Sequence, residues 1–137
     1  MTASRRHWFA GIVAMFVAAV IGGCHAPPAT LGSVDPTGEY TLISVDGMPV
    51  PATVSHDGAN LKVLSGMFTI VGDGTCSTTT IFVAPSGQEV TRTVEATYRM
   101  SGARLTMRWK GAGSTVGTID GDTFTMNNEG MLFEYER

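Results

Sequence analysis

From Gly38 onward the chain alternates apolar and polar side chains with a period of two, and a glycine-bearing turn breaks the alternation about every ten residues. A strand turns successive side chains to opposite faces, so a period of two with one apolar phase specifies half-buried β-structure. Short runs of this kind, separated by turns at this spacing, point to a sandwich or a barrel. After residue 37 no stretch repeats its apolar residues at helical spacing.

The runs can be taken in order. Gly38 to Val45 sets Tyr40 and Leu42 against Thr41, Ile43 and Val45, and ends at Asp46-Gly47. Asp-Gly suits a tight hairpin because both central residues of a type I′ turn take positive φ. Met48 to Val54 carries Pro49 and Pro51, which cannot donate to a ladder, so it reads as an edge strand or an extended connection. Ser55 to Asn60 reads as a loop around Asp57-Gly58. Leu61 to Val71 is a strand with a bulge or bend expected at Ser65-Gly66, and Thr75 to Val83 is a strand rich in Thr and Ile.

Glu89 to Met100 places Val90, Arg92, Val94, Ala96, Tyr98 and Met100 in one phase. The cleanest run is Ala103 to Lys110, with Leu105, Met107 and Trp109 on one face and Arg104, Thr106, Arg108 and Lys110 on the other. Ser114 to Asp120, Thr123 to Asn127 and Met131 to Glu136 complete the series, with Phe124, Met126, Met131, Phe133 and Tyr135 inward.

The expected fold is therefore all-β: an antiparallel up-and-down meander of about eight or nine short strands. An open meander leaves two unpaired edges, and curling round to pair the first strand with the last removes them. An eight-strand barrel is just wide enough for its own side chains or for one small ligand. Tyr40, Phe68, Phe82, Tyr98, Met107, Trp109, Phe124 and Phe133 are the large residues expected inside.

Gly38-Glu39-Tyr40, at the opening of the first strand, resembles the Gly-x-Trp opening of lipocalin-like barrels, with Tyr40 in place of Trp. The resemblance spans roughly residues 37–137. It implies a barrel that holds a small hydrophobic or amphipathic molecule, with Tyr40, Phe82, Tyr98, Met107 and Trp109 as its lining. Ser44 to Val50 is similar to the start of the META-type domains of envelope proteins. The Gly-Cys-Asn element of those domains is absent, because Cys76 stands between Thr75 and Ser77.

The first 23 residues carry a different signal. Arg5 and Arg6 precede an uncharged apolar run, Phe9 to Ile21, which is the pattern of a secretory signal peptide. As a helix that run is about 20 Å long, at about 1.5 Å per residue. It is short against a hydrocarbon core of about 30 Å. Ile21-Gly22-Gly23-Cys24 resembles the bacterial lipobox, which implies cleavage of the signal helix before Cys24 and lipid attachment to its thiol. Ser4 to Phe9 is also similar to a twin-arginine export signal. His25, rather than Asp, after Cys24 leans toward the periplasmic face of the outer membrane. Cys24 to Pro36, with three prolines and small residues, reads as an extended tether. The expected division is signal peptide 1–23, tether 24–36 and barrel 37–137.

Charge narrows the partners. Nine Lys and Arg, less Arg5 and Arg6, leave seven against twelve Asp and Glu, a net charge of −5 beyond the leader. An acidic domain with no basic run is a poor partner for nucleic acid. The expected partners are the membrane, through the lipid on Cys24, and either a small hydrophobic ligand or an envelope protein.

No constellation for chemistry stands out, so no enzyme, cofactor or metal is expected. The acidic residues sit mostly beside glycine, where Asp serves turn geometry. Cys76 reads as a small buried hydrophobe, since no His lies near it in sequence to activate a thiolate. Arg92 is the exception to the pattern. It falls in the interior phase, where an unpaired guanidinium is unfavourable, so it is expected to pair with a carboxylate, stack on an aromatic or sit at the barrel rim, there either reaching solvent by its long stem or orienting an anionic or amphipathic ligand.

Overall fold

Each alternating run becomes a strand, because only a strand can send every second side chain into a common interior. The computed structural model describes residues 33–137. The expected signal peptide, Cys24 and most of the expected tether lie outside the described residues. Ten strands follow one another: β1 (Gly38–Val45), β2 (Met48–Pro49), β3 (Ala52–His56), β4 (Ala59–Ile70), β5 (Thr75–Val83), β6 (Glu89–Ser101), β7 (Arg104–Trp109), β8 (Ser114–Asp120), β9 (Thr123–Asn128) and β10 (Met131–Glu136). Among the described residues there is no helix.

Eight of these strands, β1 and β4 to β10, form a closed antiparallel barrel. Its order is β1-β10-β9-β8-β7-β6-β5-β4, and β4 pairs back onto β1. First and last strands pair as the edge argument requires, with Thr41 opposite Glu136 and Val45 opposite Phe133. The other side of β1 meets β4 over four residue pairs, from Gly38 opposite Ile70 to Thr41 opposite Met67. Beyond that short seam the two strands diverge. The connection between them covers their free edges: β2 pairs with Ser44 and Val45, and β3 pairs with β4 from Ala59 to Val63. Val50 bridges the gap by donating its N–H to the Ile43 carbonyl at 3.1 Å.

Three sequence expectations need correction. Val45 points inward with Leu42 and is fully buried, because the register slips between Leu42 and Ser44 and the bulge restores the interior phase. The irregularity in β4 falls between Val63 and Ser65, one residue earlier than expected, and lets both Val63 and Gly66 face inward. Ser55 to Asn60 is a tight hairpin and not a loop. His56 pairs with Ala59, while Asp57 (φ 49°) and Gly58 (φ 75°) make the two-residue turn between β3 and β4.

One end of the barrel is filled by its own side chains. Phe68 is completely buried and packs on three other rings, with centroids 4.6 Å from Phe124, 5.6 Å from Tyr135 and 6.2 Å from Trp109. Tyr40 joins from the seam at 5.9 Å from Phe124. Leu42, Ile70, Leu105, Met107 and Ile119 fill the rest. The approach of the chain to β1 ties this end shut. The Tyr40 hydroxyl donates to the Pro36 carbonyl at 2.8 Å, and the Arg137 guanidinium lies 5.3 Å from the Tyr40 ring centroid. That guanidinium also donates to the Thr37 carbonyl at 2.8 Å and to Asp122 Oδ1 at 3.1 Å. Cys76 is buried on β5, and burial pushes its thiol up to about 11, so it stays protonated and packs as a small hydrophobe.

Candidate functional site

The opposite end, where the β3–β4, β5–β6, β7–β8 and β9–β10 turns lie, is not filled. Thr78 and Thr80 on β5 stand opposite Val94 and Arg92 on β6. A cavity of about 170 Å³ opens beside them. Its apolar wall is built from Leu61, Val63, Phe82, Val94, Trp109, Met126, Met131 and Phe133, and Thr78 and Tyr135 also border it. Ligand pockets usually measure about 300–1,000 Å³, whereas an apolar cavity of about 150 Å³ takes one benzene. This cavity is therefore the size of a single ring or a short chain.

The mouth is polar. Arg92 is exposed at the rim and has no ion pair or side-chain hydrogen bond among the described residues. His56, at the β3–β4 turn, places Nε2 at 3.3 Å from Asp57 Oδ2 and 3.2 Å from Glu129 Oε2. Glu129 belongs to the β9–β10 turn, so this contact joins two turns at the rim.

Trp109 is held in the wall by a chain of hydrogen bonds. Its indole N–H donates to Thr115 Oγ1 at 2.8 Å, and the Thr115 hydroxyl donates to Asn128 Oδ1 at 3.3 Å. Two hydroxyls of bordering residues, Thr78 Oγ1 and Tyr135 Oη, are shut off from the cavity space, fully buried and without a hydrogen bond of good geometry. Burial pushes the Tyr135 phenol up to about 12, and the Thr78 hydroxyl draws it back only in part. The two hydroxyls therefore lie close enough to interact with each other.

Of the six side chains expected to form a ligand site, the structure brings three together: Phe82, Arg92 and Trp109. Tyr40 and Met107 belong to the filled core, each fully buried. Tyr98 points away from the cavity and donates its hydroxyl to the Val71 carbonyl at 2.7 Å. Sequence reasoning missed Thr78, Tyr135, His56 and Glu129. A signal existed for Thr78, since Thr78 and Thr80 share the inward phase of Phe82 and place hydroxyls where the pattern calls for apolar groups. No local signal exists for His56 and Glu129, which meet only through the barrel's closure.

A wider depression of about 500 Å³ lies over β5 to β7 and also reaches Trp109. Its rim is exposed Thr75, Glu95, Thr97, Arg108 and Lys110, with Lys110 Nζ 3.2 Å from Glu95 Oε2. It is somewhat more open than the barrel mouth, and Val71, Cys76, Ala96 and Trp109 are among its lining. Among the described residues no three His, Cys, Asp or Glu side chains gather as a metal site would need. Comparison of the chain with known protein families, with curated proteins and with solved structures found no match, so fold and geometry alone carry the functional reading.

Proposed function

We propose that this chain is a lipid-anchored lipoprotein of the cell envelope whose barrel binds a small hydrophobic or amphipathic molecule and performs no catalysis. The observation that carries the binding reading is the apolar cavity behind a polar mouth, with an aromatic wall and the unpaired Arg92 at its rim. An apolar interior draws in an apolar molecule by removing its surface from water, and a few polar groups orient it. The anchor rests on the leader and lipobox. Several acyl chains on Cys24 would hold the domain at the bilayer, each buried CH₂ contributing about 0.8 kcal/mol.

A second reading has one observation in its favour. Half of the barrel is packed solid, and a protein partner at the loops or outer face would need no cavity. Titration with toluene separates the two readings. In the chain carrying Trp8→Phe, Trp109 is the sole indole, and its fluorescence is expected to change saturably with toluene. Val94→Phe, which fills the cavity, is expected to abolish the response. No saturable change in the parent chain would favour the protein-binding reading. The anchor is tested separately: labelled palmitate is expected in the wild type and not in Cys24→Ser, and equal labelling of both would remove the lipid anchor.

A further inference from the structure

We infer that the free edge of β6 beside the cavity takes an extended peptide as an added antiparallel strand. One apolar side chain of that peptide enters the cavity, and an acidic side chain two residues away meets Arg92. The small-molecule reading uses the same cavity and leaves this edge unused.

β5 and β6 pair without a break, from Thr75 opposite Thr97 to Val83 opposite Glu89. β7 accompanies β6 only as far as Ala96, which Trp109 faces. One more contact follows, from the Lys110 N–H to the Glu95 carbonyl at 2.9 Å, and the chain then turns into β8. From Glu89 to Val94 no strand lies on that side of β6 among the described residues. In an antiparallel ladder alternate residues direct both backbone groups to the same side. Glu95 faces β7, so Thr93 and Thr91 face the same way, and their N–H and C=O groups meet no neighbouring strand. Both residues are exposed. An edge of this kind is a template for a further strand.

Its place beside the cavity says what that strand should carry. Arg92 and Val94, the inward residues of the free segment, border the cavity, and so do Trp109 and Ala112 on the side the free edge faces. An added strand turns every second side chain to the face that Arg92 and Val94 share. One such side chain has a space of about 170 Å³ to enter. That is the room for a single ring or a short chain, and so for one Phe or Leu side chain. The next side chain on the same face lies near Arg92, which is exposed and has no ion pair among the described residues. A carboxylate there completes the pair. Backbone hydrogen bonds supply affinity to an added strand, and pockets for alternate side chains supply selectivity.

The probe is the peptide Thr-Thr-Phe-Thr-Glu-Thr-amide, labelled with fluorescein at its N-terminus and followed by anisotropy with the full chain. Saturable binding is expected, and saturating toluene should weaken it by competing for the cavity. In the added strand the N–H of the Thr between Phe and Glu points at β6, while the N–H of Phe points away. Methylating that Thr nitrogen is expected to weaken binding about tenfold, and methylating the Phe nitrogen less than about twofold. Thr91→Pro removes an N–H that bonds no other strand, so the thermal unfolding midpoint should hold while peptide affinity falls about tenfold. Arg92→Gln should weaken the Glu peptide about threefold and leave its Gln counterpart unchanged. Toluene binding without peptide binding would overturn the inference and leave the small-molecule site standing. Equal losses from the two methylations would overturn strand addition, and peptide binding indifferent to toluene would overturn the use of the cavity. A dimer of the chain that Thr91→Pro dissociates, seen by size-exclusion chromatography without peptide binding, would give the edge to a second copy instead. Binding of neither toluene nor peptide would remove both the inference and the site.

Discussion

Replacing Phe68 by alanine is expected to lower the unfolding free energy by about 3–5 kcal/mol, the usual range for a fully buried Phe truncated in a core. Small domains have only about 5–15 kcal/mol of stability, so the variant should be close to unfolding at room temperature. Phe68 warrants this weight because its ring touches Phe124, Tyr135 and Trp109 at once. It lies next to the β1–β4 seam, where Phe68 pairs with Tyr40. Removing it hollows the packed end at the point where only four residue pairs close the barrel. Phe68→Leu should lose much less, because most of the volume remains. Urea titrations of the three proteins give the comparison. A loss under about 1 kcal/mol for Phe68→Ala would show that this half of the barrel can collapse around a missing ring.

Gly117→Ala is expected to destabilise by about 3 kcal/mol, at the upper end of overpacking. The sign is opposite to the common one. A Gly to Ala change in a strand normally stabilises by about 0.5–1 kcal/mol, because the unfolded chain loses freedom. Gly117 is in β8, and the ring of Phe124 on β9 covers it. A Cβ there would stand 2.3 Å and 2.8 Å from two atoms of that ring, and 3.0 Å from the Thr125 carbonyl oxygen. The ring cannot swing aside, since Phe68, Tyr40 and Tyr135 lie around it. Gly117→Val should fail to fold. Phe124→Leu shortens the obstructing side chain, so the double variant should lose less than the two single losses added together. Additive losses would mean that the Gly117 contact with Phe124 is not the cause.

Both predictions concern features the sequence discloses unequally. Phe68 falls in an apolar phase and could be assigned to the interior from the alternation alone. Gly117 also falls in the inward phase of β8, between Thr115 and Ile119, but nothing local says that a ring from the next strand fills its place. The same division runs through the candidate site. Trp109, Phe82 and Arg92 were legible as inward residues because each keeps the period of its strand. Their company was not. Tyr40 and Met107 share the inward phase but sit at the filled end, while Thr78 and Tyr135 border the cavity.

The amino-acid order determined on its own the strand type, the face each side chain takes and several of the tight turns. Those properties depend on neighbours a few residues apart: a two-residue period, and Asp-Gly pairs that accept positive φ. Tertiary structure decided the height of each residue along the barrel, and with it which inward residues meet. Height depends on the stagger accumulated round eight paired strands. It also depends on the register slips after Leu42 and Val63, each of which moves a whole segment by one place. No short-range pattern encodes that sum, which is why a filled end and an open end emerge from strands that look alike in sequence.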